Sequence, residues 1–239
     1  MDSLALNKAN ELTKENIEIV DKAIRDRELN EPPKRSVLEE IGNSITHGVG
    51  ALMAIPMLVF MILYSDTGFE LWASLVYGIS MFIMMLMSCL YHAFPQGSKV
   101  KRLWRRFDYS SIYLLIGGTY APIFLMYVGG TLGVTLFSIQ WAIIAFGITM
   151  IAIFGPGRVK VLNFVLYFTI GWIGILFIPS MAKNNLPLLL WILGGGITYT
   201  LGMIPFGMKK VKATHFIWHF FVLAGCIIQY VGIFLTLFL

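Results

Sequence analysis

Charge is what this sequence most conspicuously lacks. Only 13% of its 239 residues are Asp, Glu, Lys or Arg, about half the share of an ordinary soluble domain. After Asn43 just three acidic residues remain: Asp66, Glu70 and Asp108. With 57% hydrophobic residues and a mean hydropathy of +0.76, the chain has too little polar surface to face water. A soluble globular fold is therefore excluded, and lipid is the expected solvent. Cysteine is scarce too. Cys89 and Cys226 both fall inside apolar segments, where they read as small buried apolar residues rather than a disulfide framework or a metal site. The N-terminus is acidic and polar and lacks the short apolar run of a cleavable signal, so secretion by that route is not expected. Histidine occurs four times, as His47, His92, His215 and His219.

What the sequence has is apolar length. A helix needs about 20 residues to cross a bilayer, and runs of that kind lie near 44–64, 70–93, 109–128, 132–154, 160–180, 186–207 and 214–238. The breaks between them carry turn chemistry: Ser65-Asp66-Thr67-Gly68, the loop from Pro95 to Arg106, Gly129-Gly130, Gly155-Pro156-Gly157, Lys183-Asn184-Asn185 and Gly207-Met208-Lys209-Lys210. The expectation is an all-α integral membrane protein, a seven-transmembrane helix bundle over residues 44–239, multi-pass in the cell membrane. Residues 1–43 form a polar tail. Within it Thr13 to Leu29 can form a helix with Ile17, Val20 and Ile24 on one stripe, ending near Glu31-Pro32-Pro33. That element is either a solvated tail or a short amphipathic helix on the membrane surface or the cytoplasmic face. Gly117-Gly118 and Gly194-Gly195-Gly196 lie inside spans and favour close helix packing. Pro122, Pro179 and Pro205 kink or end theirs.

The basic residues set the orientation. The tail holds Lys8, Lys14, Lys22, Arg25, Arg27, Lys34 and Arg35, and three alternate loops hold Lys99, Lys101, Arg102, Arg105 and Arg106, then Arg158 and Lys160, then Lys209, Lys210 and Lys212. Seventeen of the eighteen Lys and Arg thus fall on one side, with Lys183 alone on the other. The positive-inside rule places the N-terminus in the cytoplasm and the C-terminus outside. The net charge of +5 follows from topology, and no nucleic-acid motif accompanies it.

The remaining ionisable groups fall at helix ends on the cytoplasmic side. His47 begins span one, His92 ends span two, Asp108 begins span three, and His215 and His219 open span seven. The i, i+4 spacing of His215 and His219 stacks two imidazoles on one helix face about 6 Å apart along the axis, where they can share a metal ion. His92 brings a third nitrogen to the same depth. Three histidines leave a fourth position for water, the arrangement of a catalytic zinc site, and Asp108 would act through that water or through a histidine N–H. Ser88, one turn before His92, bonds either a backbone carbonyl or the metal water or a substrate carbonyl. His47 is a further ligand or a hydrogen-bonding group near Asn43 and Glu40. Interfacial histidines bonding between helices are the plainer reading, but ionisable groups in membrane interiors are rare and usually functional.

Glu40-x2-Asn43-x3-His47, Ser88-x3-His92 followed by Asp108, and His215-x3-His219 together resemble the three motifs of the progestin and adipoQ receptor family. The short loops and tail resemble its bacterial hemolysin III branch. The likeness runs from about Glu39 to the end. It implies a seven-helix fold with one zinc ion near the cytoplasmic face, held by His92, His215 and His219 with Asp108 hydrogen-bonded to the metal water. Through the related alkaline ceramidases it also implies cleavage of a lipid amide.

Three functions follow as expectations. The first is a zinc-dependent lipid amide hydrolase, with Asp108 as base, Ser88 steadying the oxyanion and a membrane lipid as substrate or ligand. The second is a receptor-like or regulatory membrane protein with structural zinc. The third, a cytolytic pore-former, is disfavoured because the spans lack a polar stripe to line a channel. A retinal protein is excluded, because span seven contains no lysine for a Schiff base.

Overall fold

The computed structural model describes residues 3–208 and 211–239, with side chains from Glu11 onward except that of Leu12. Lys209 and Lys210, two of the basic residues assigned to the last loop, lie outside the described residues. Among those described, all regular structure is helical: α1 Ser3–Leu29, α2 Val37–Leu63, α3 Gly68–Ala93, α4 Lys99–Pro122, α5 Gly130–Phe154, α6 Lys160–Gly171, α7 Ile178–Asn184, α8 Leu186–Gly207 and α9 Thr214–Leu237. A π-helical turn, Ile123–Val128, continues α4, and a 3₁₀ turn, Ile173–Phe177, joins α6 to α7. Seven helical segments are long and apolar enough to cross a membrane: α2, α3, Lys99–Val128, α5, Lys160–Asn184, α8 and α9.

Two spans start earlier than the apolar runs suggest. Ser36 caps α2 by accepting from the Glu39 N–H, and Ser98 caps α4 by accepting from the Lys101 N–H. Glu40 and Asn43 therefore ride on the first spanning helix, and Lys101 and Arg105 ride on α4 rather than in a loop. His47 and Asp108 stand well inside their helices, not at the starts. A hydropathy scan opens a span where charge stops, whereas a helix runs through charged residues that find partners.

α2, α3 and α4 pack as consecutive antiparallel neighbours, α8 and α9 pair as a hairpin, and α9 closes the ring against α2. Methionine and tyrosine fill the centre, including Met61, Met81, Met85, Tyr77 and Tyr120. Close approach depends on glycine at particular crossings. A Cβ on Gly118 would lie 2.6 Å from the Ser80 Cβ on α3, and one on Gly195 would lie 2.2 Å from the Gln229 side chain on α9. Gly194 and Gly196 have room for one. The tight turn between α4 and α5 uses Gly129 and Gly130 at φ 64° and 56°, a region L side chains avoid.

The fifth span is broken at Trp172, which frees backbone groups at membrane depth. Tyr120 meets them, its hydroxyl donating to Gly171 O at 2.7 Å and accepting from Gly174 N–H at 3.0 Å. Non-helical backbone is tolerated in a membrane where protein satisfies it in this way.

α1 forms the helix expected of the tail, with Ile17, Val20 and Ile24 exposed, and its C-terminal end is tied to the bundle. The Asn30 amide donates to Phe154 O at 3.0 Å and accepts from Gly157 N–H at 3.0 Å. Arg158 pairs with Asp26 at 2.9 Å, Arg102 with Glu31 at 3.2 Å, and Gln96 donates to Pro32 O at 2.7 Å. Gly157 makes the seat possible, since a Cβ there would lie 1.7 Å from Leu29 O. Gly157→Ala is expected to lift α1 from this seat, seen as faster hydrogen exchange in Asp26–Asn30 with α3 and α9 unchanged. Equal exchange in both proteins would show that the seat is not what holds α1.

Candidate metal centre

Two helix ends bring three histidines together at the pole of the bundle that holds the α1 seat. His92 lies in the last turn of α3, His215 in the first turn of α9 and His219 one turn further on. The chain enters α9 through Ala213, which has a left-handed conformation at φ 61°, and the Thr214 hydroxyl donates to Val211 O at 3.1 Å. A non-glycine residue in that region costs roughly 1–2 kcal/mol and persists only where its surroundings impose it. Here it fixes the start of the helix that carries both histidines.

Each of His92, His215 and His219 offers a nitrogen within 4.8 Å of the other two. The Nε2 atoms of His215 and His219 are 3.3 Å apart, and the His92 ring centroid is 5.3 Å from His215 and 4.7 Å from His219. His92 and His219 are buried, at 3% and 2% exposure. The His92 Nδ1 is engaged by Glu40 Oε2 at 2.5 Å, with the Asn43 amide at 3.3 Å. Its Nε2 is buried with no protein partner.

This donor set fits a zinc ion. Two nitrogens bound tetrahedrally at the usual Zn–N length of about 2.0–2.1 Å stand roughly 3.3–3.4 Å apart, as the α9 pair does. A hydrogen bond within that pair would also account for its spacing, but it would leave the His92 Nε2 unsatisfied in a buried site, at a cost of about 1–3 kcal/mol. A metal would give the His92 Nε2 its missing partner while taking one nitrogen from each of the other two rings. The Glu40–His92 contact is the carboxylate–histidine arrangement that fixes ring orientation in metal sites.

Ser88 is buried one turn before His92. Its hydroxyl faces the Asp108 carboxylate across the contact between α3 and α4. Asp108 stands outside the three-histidine group, so it reaches that group only through water or substrate. His47 also stands outside the three-histidine group. It stacks on His219 with ring centroids 3.8 Å apart at 26°, and neither of its nitrogens has a partner. Glu40 and Asn43, two turns and one turn earlier on α2, reach past it to His92.

Two participants were hidden in the sequence. Lys101 and Arg105, counted there as loop charges, are 0% and 7% exposed. Lys101 Nζ lies 3.2 Å from Glu40 Oε1 and donates to Tyr91 O at 3.1 Å and Phe94 O at 3.0 Å. Arg105 donates to Glu31 O at 3.2 Å. The readable signal was spacing: Lys101, Arg105 and Asp108 recur at i, i+4 and i+7, one face of α4.

Seven apolar spans enclosing a buried three-histidine group at one pole define a multi-pass membrane protein with a site suited to a metal ion. The haemolysin-III related family model matches residues 35–230, and the chain belongs to that family. It is 39% identical to Hemolysin-3 of Bacillus cereus, over 82% of this chain and 93% of that protein. It is 38% identical to the Hemolysin-3 homolog of Bacillus subtilis, over 80% of this chain and 90% of that one. All four histidines fall within the region that the family model matches, and the whole of α1 falls outside it.

Proposed function

We propose that the protein is a zinc-dependent hydrolase of lipid amide bonds that serves membrane-lipid homeostasis from the cytoplasmic face. The observation that carries this reading is the buried, unpartnered Nε2 of His92 directed at the His215–His219 pair, with a carboxylate–hydroxyl pair nearby. His92, His215 and His219 would hold the ion. Bound there, zinc would polarise a substrate carbonyl and lower the pKa of a water toward 7. Asp108, steadied by Ser88, is the group suited to take a proton from a water molecule, and the Ser88 hydroxyl is suited to donate to a developing oxyanion. The cytoplasmic placement of this pole rests on the positive-inside count.

The test uses purified protein in detergent with a fluorescent N-acyl sphingoid substrate, reading release of the fatty acid. Asp108→Asn is expected to keep its metal and lose about 10²–10⁴-fold in kcat. Wild-type turnover by this variant would remove Asp108 from the chemistry, and turnover after chelation would remove the metal. Full zinc occupancy with strong thermal stabilisation but no turnover on any lipid amide favours the receptor-like reading, in which zinc ties α3 to α9.

The relatives' names raise cytolysis. The packing speaks against a pore, because the centre of the bundle is filled by the methionine and tyrosine core and the buried ionic groups Glu40, His92 and Lys101 gather at one pole. Dye release from protein-free liposomes on adding pure protein would overturn that judgement.

A further inference from the structure

α4 presents opposite faces to two different places. Lys101 and Asp108 turn toward Glu40 and Ser88 beside the histidines, while Arg102 and Arg106 turn toward Glu31 after α1 and the end of α5. On that outer face lies an open cleft of about 480 Å³ between α1, α4 and the loop after α5. Four guanidinium groups line it: Arg27 from α1, Arg102 and Arg106 from α4, and Arg158 from the loop. Asp26 is the one acidic residue in the lining.

The four arginines are incompletely neutralised. Arg158 is paired with Asp26, and Arg102 with Glu31 at the rim. Arg106 donates to a neutral acceptor, Ala152 O, at 2.5 Å. Arg27 is exposed and has no ion-pair partner among the described residues. Two positive charges are thus left over within one concave site. Planar guanidinium forks match phosphate oxygens well.

The other wall of the cleft is apolar and open to lipid. Leu103 is 51% exposed and Ile153 60% exposed, with Phe154 beside them. A free anion would gain nothing from that wall, whereas a phosphate carried on acyl chains meets both surfaces at once. The site lies at the end of the spanning helices, at the level where headgroups lie.

We infer that this cleft binds the phosphate headgroup of one anionic diacyl phospholipid, and that the lipid clamps α1 to the bundle. The clamp follows from the origin of the lining. One phosphate there contacts α1, α4 and the α5–α6 loop together, adding to the Asn30 seat.

The experiment is native mass spectrometry of the full chain in nonionic detergent, titrated with phosphatidylglycerol or phosphatidylcholine, with hydrogen exchange read in parallel over Asp26–Asn30. Wild-type protein is expected to retain one phosphatidylglycerol in preference to phosphatidylcholine and to slow exchange in α1 when it does. Arg27→Gln, an exposed change that leaves the fold intact, is expected to weaken retention roughly fivefold, and Arg27→Gln with Arg106→Gln further by a similar factor. Lys183→Gln, at the opposite pole, is expected to have no effect. Equal retention of the zwitterionic lipid, or unchanged retention in Arg27→Gln, would overturn the inference. So would equal slowing of exchange by millimolar inorganic phosphate alone, which would assign the cleft to a free anion.

Discussion

His219→Ala protein purified in detergent is expected to contain no stoichiometric metal by elemental analysis and to show no lipid amide turnover. Wild-type protein, in the same comparison, is expected to carry one zinc per chain. The expectation rests on two features of His219. It supplies one of three converging nitrogens, and without it zinc keeps only two protein ligands on different helices. It also stacks on His47 at 3.8 Å, so alanine opens a gap against a fully buried ring. These effects separate thermodynamically. Free zinc at a hundredfold above its Kd should stabilise wild-type protein by about 2.7 kcal/mol and the variant not at all. The difference between chelated wild type and chelated variant then reports packing alone. A variant that binds zinc as well as wild type would exclude His219 from the site.

The number of spans was legible because apolar length in lipid is a direct physical requirement, and no alternative backbone arrangement in a helical chain satisfies it. The convergence of His92, His215 and His219 was legible for a related reason. Antiparallel spans with known ends place α3's last turn and α9's first turns at one depth. Side-chain partners were harder to foresee. Glu40, Asn43 and His47 share a stripe of α2 at i, i+3 and i+7, and from spacing alone His47 was expected to bond near the other two. The rotation of α2 against α3 sends Glu40 and Asn43 to His92 instead, and that rotation is set by packing such as Gly50 against Met85. Lys101 was misplaced because a lysine beside a loop usually serves topology. Its burial becomes visible only once the α3 C-terminus supplies carbonyls and Glu40 supplies a counter-charge. The break at Trp172 was likewise not foreseen, since it depends on a Tyr120 hydroxyl from another helix.

The second large effect is expected at Lys101. Its side chain is fully buried, pairs with Glu40 and donates to two carbonyls at the end of α3. Its ammonium also lies 4.9 Å from the Tyr91 ring centroid. Lys101→Met keeps the volume but removes the charge and the donors, leaving the Glu40 carboxylate, only 13% exposed, without its cation. Breaking one side of a buried pair costs about 3–5 kcal/mol, so the thermal midpoint in detergent should fall by many degrees. Removing the opposite charge should undo much of this. Glu40→Gln in the Lys101→Met background leaves no uncompensated charge, and the double variant is expected to be more stable than Lys101→Met alone. A double variant no more stable than the single one would mean that Lys101 acts on the α3 carbonyls rather than through Glu40. Metal affinity supplies an independent reading. Because Glu40 holds the His92 Nδ1, Glu40→Gln alone should weaken zinc binding about 10–100-fold, whereas Lys101→Met, which leaves that contact in place, should weaken it less. The pair then divides its work, with Lys101 holding the carboxylate in the bundle and the carboxylate turning His92 toward the metal.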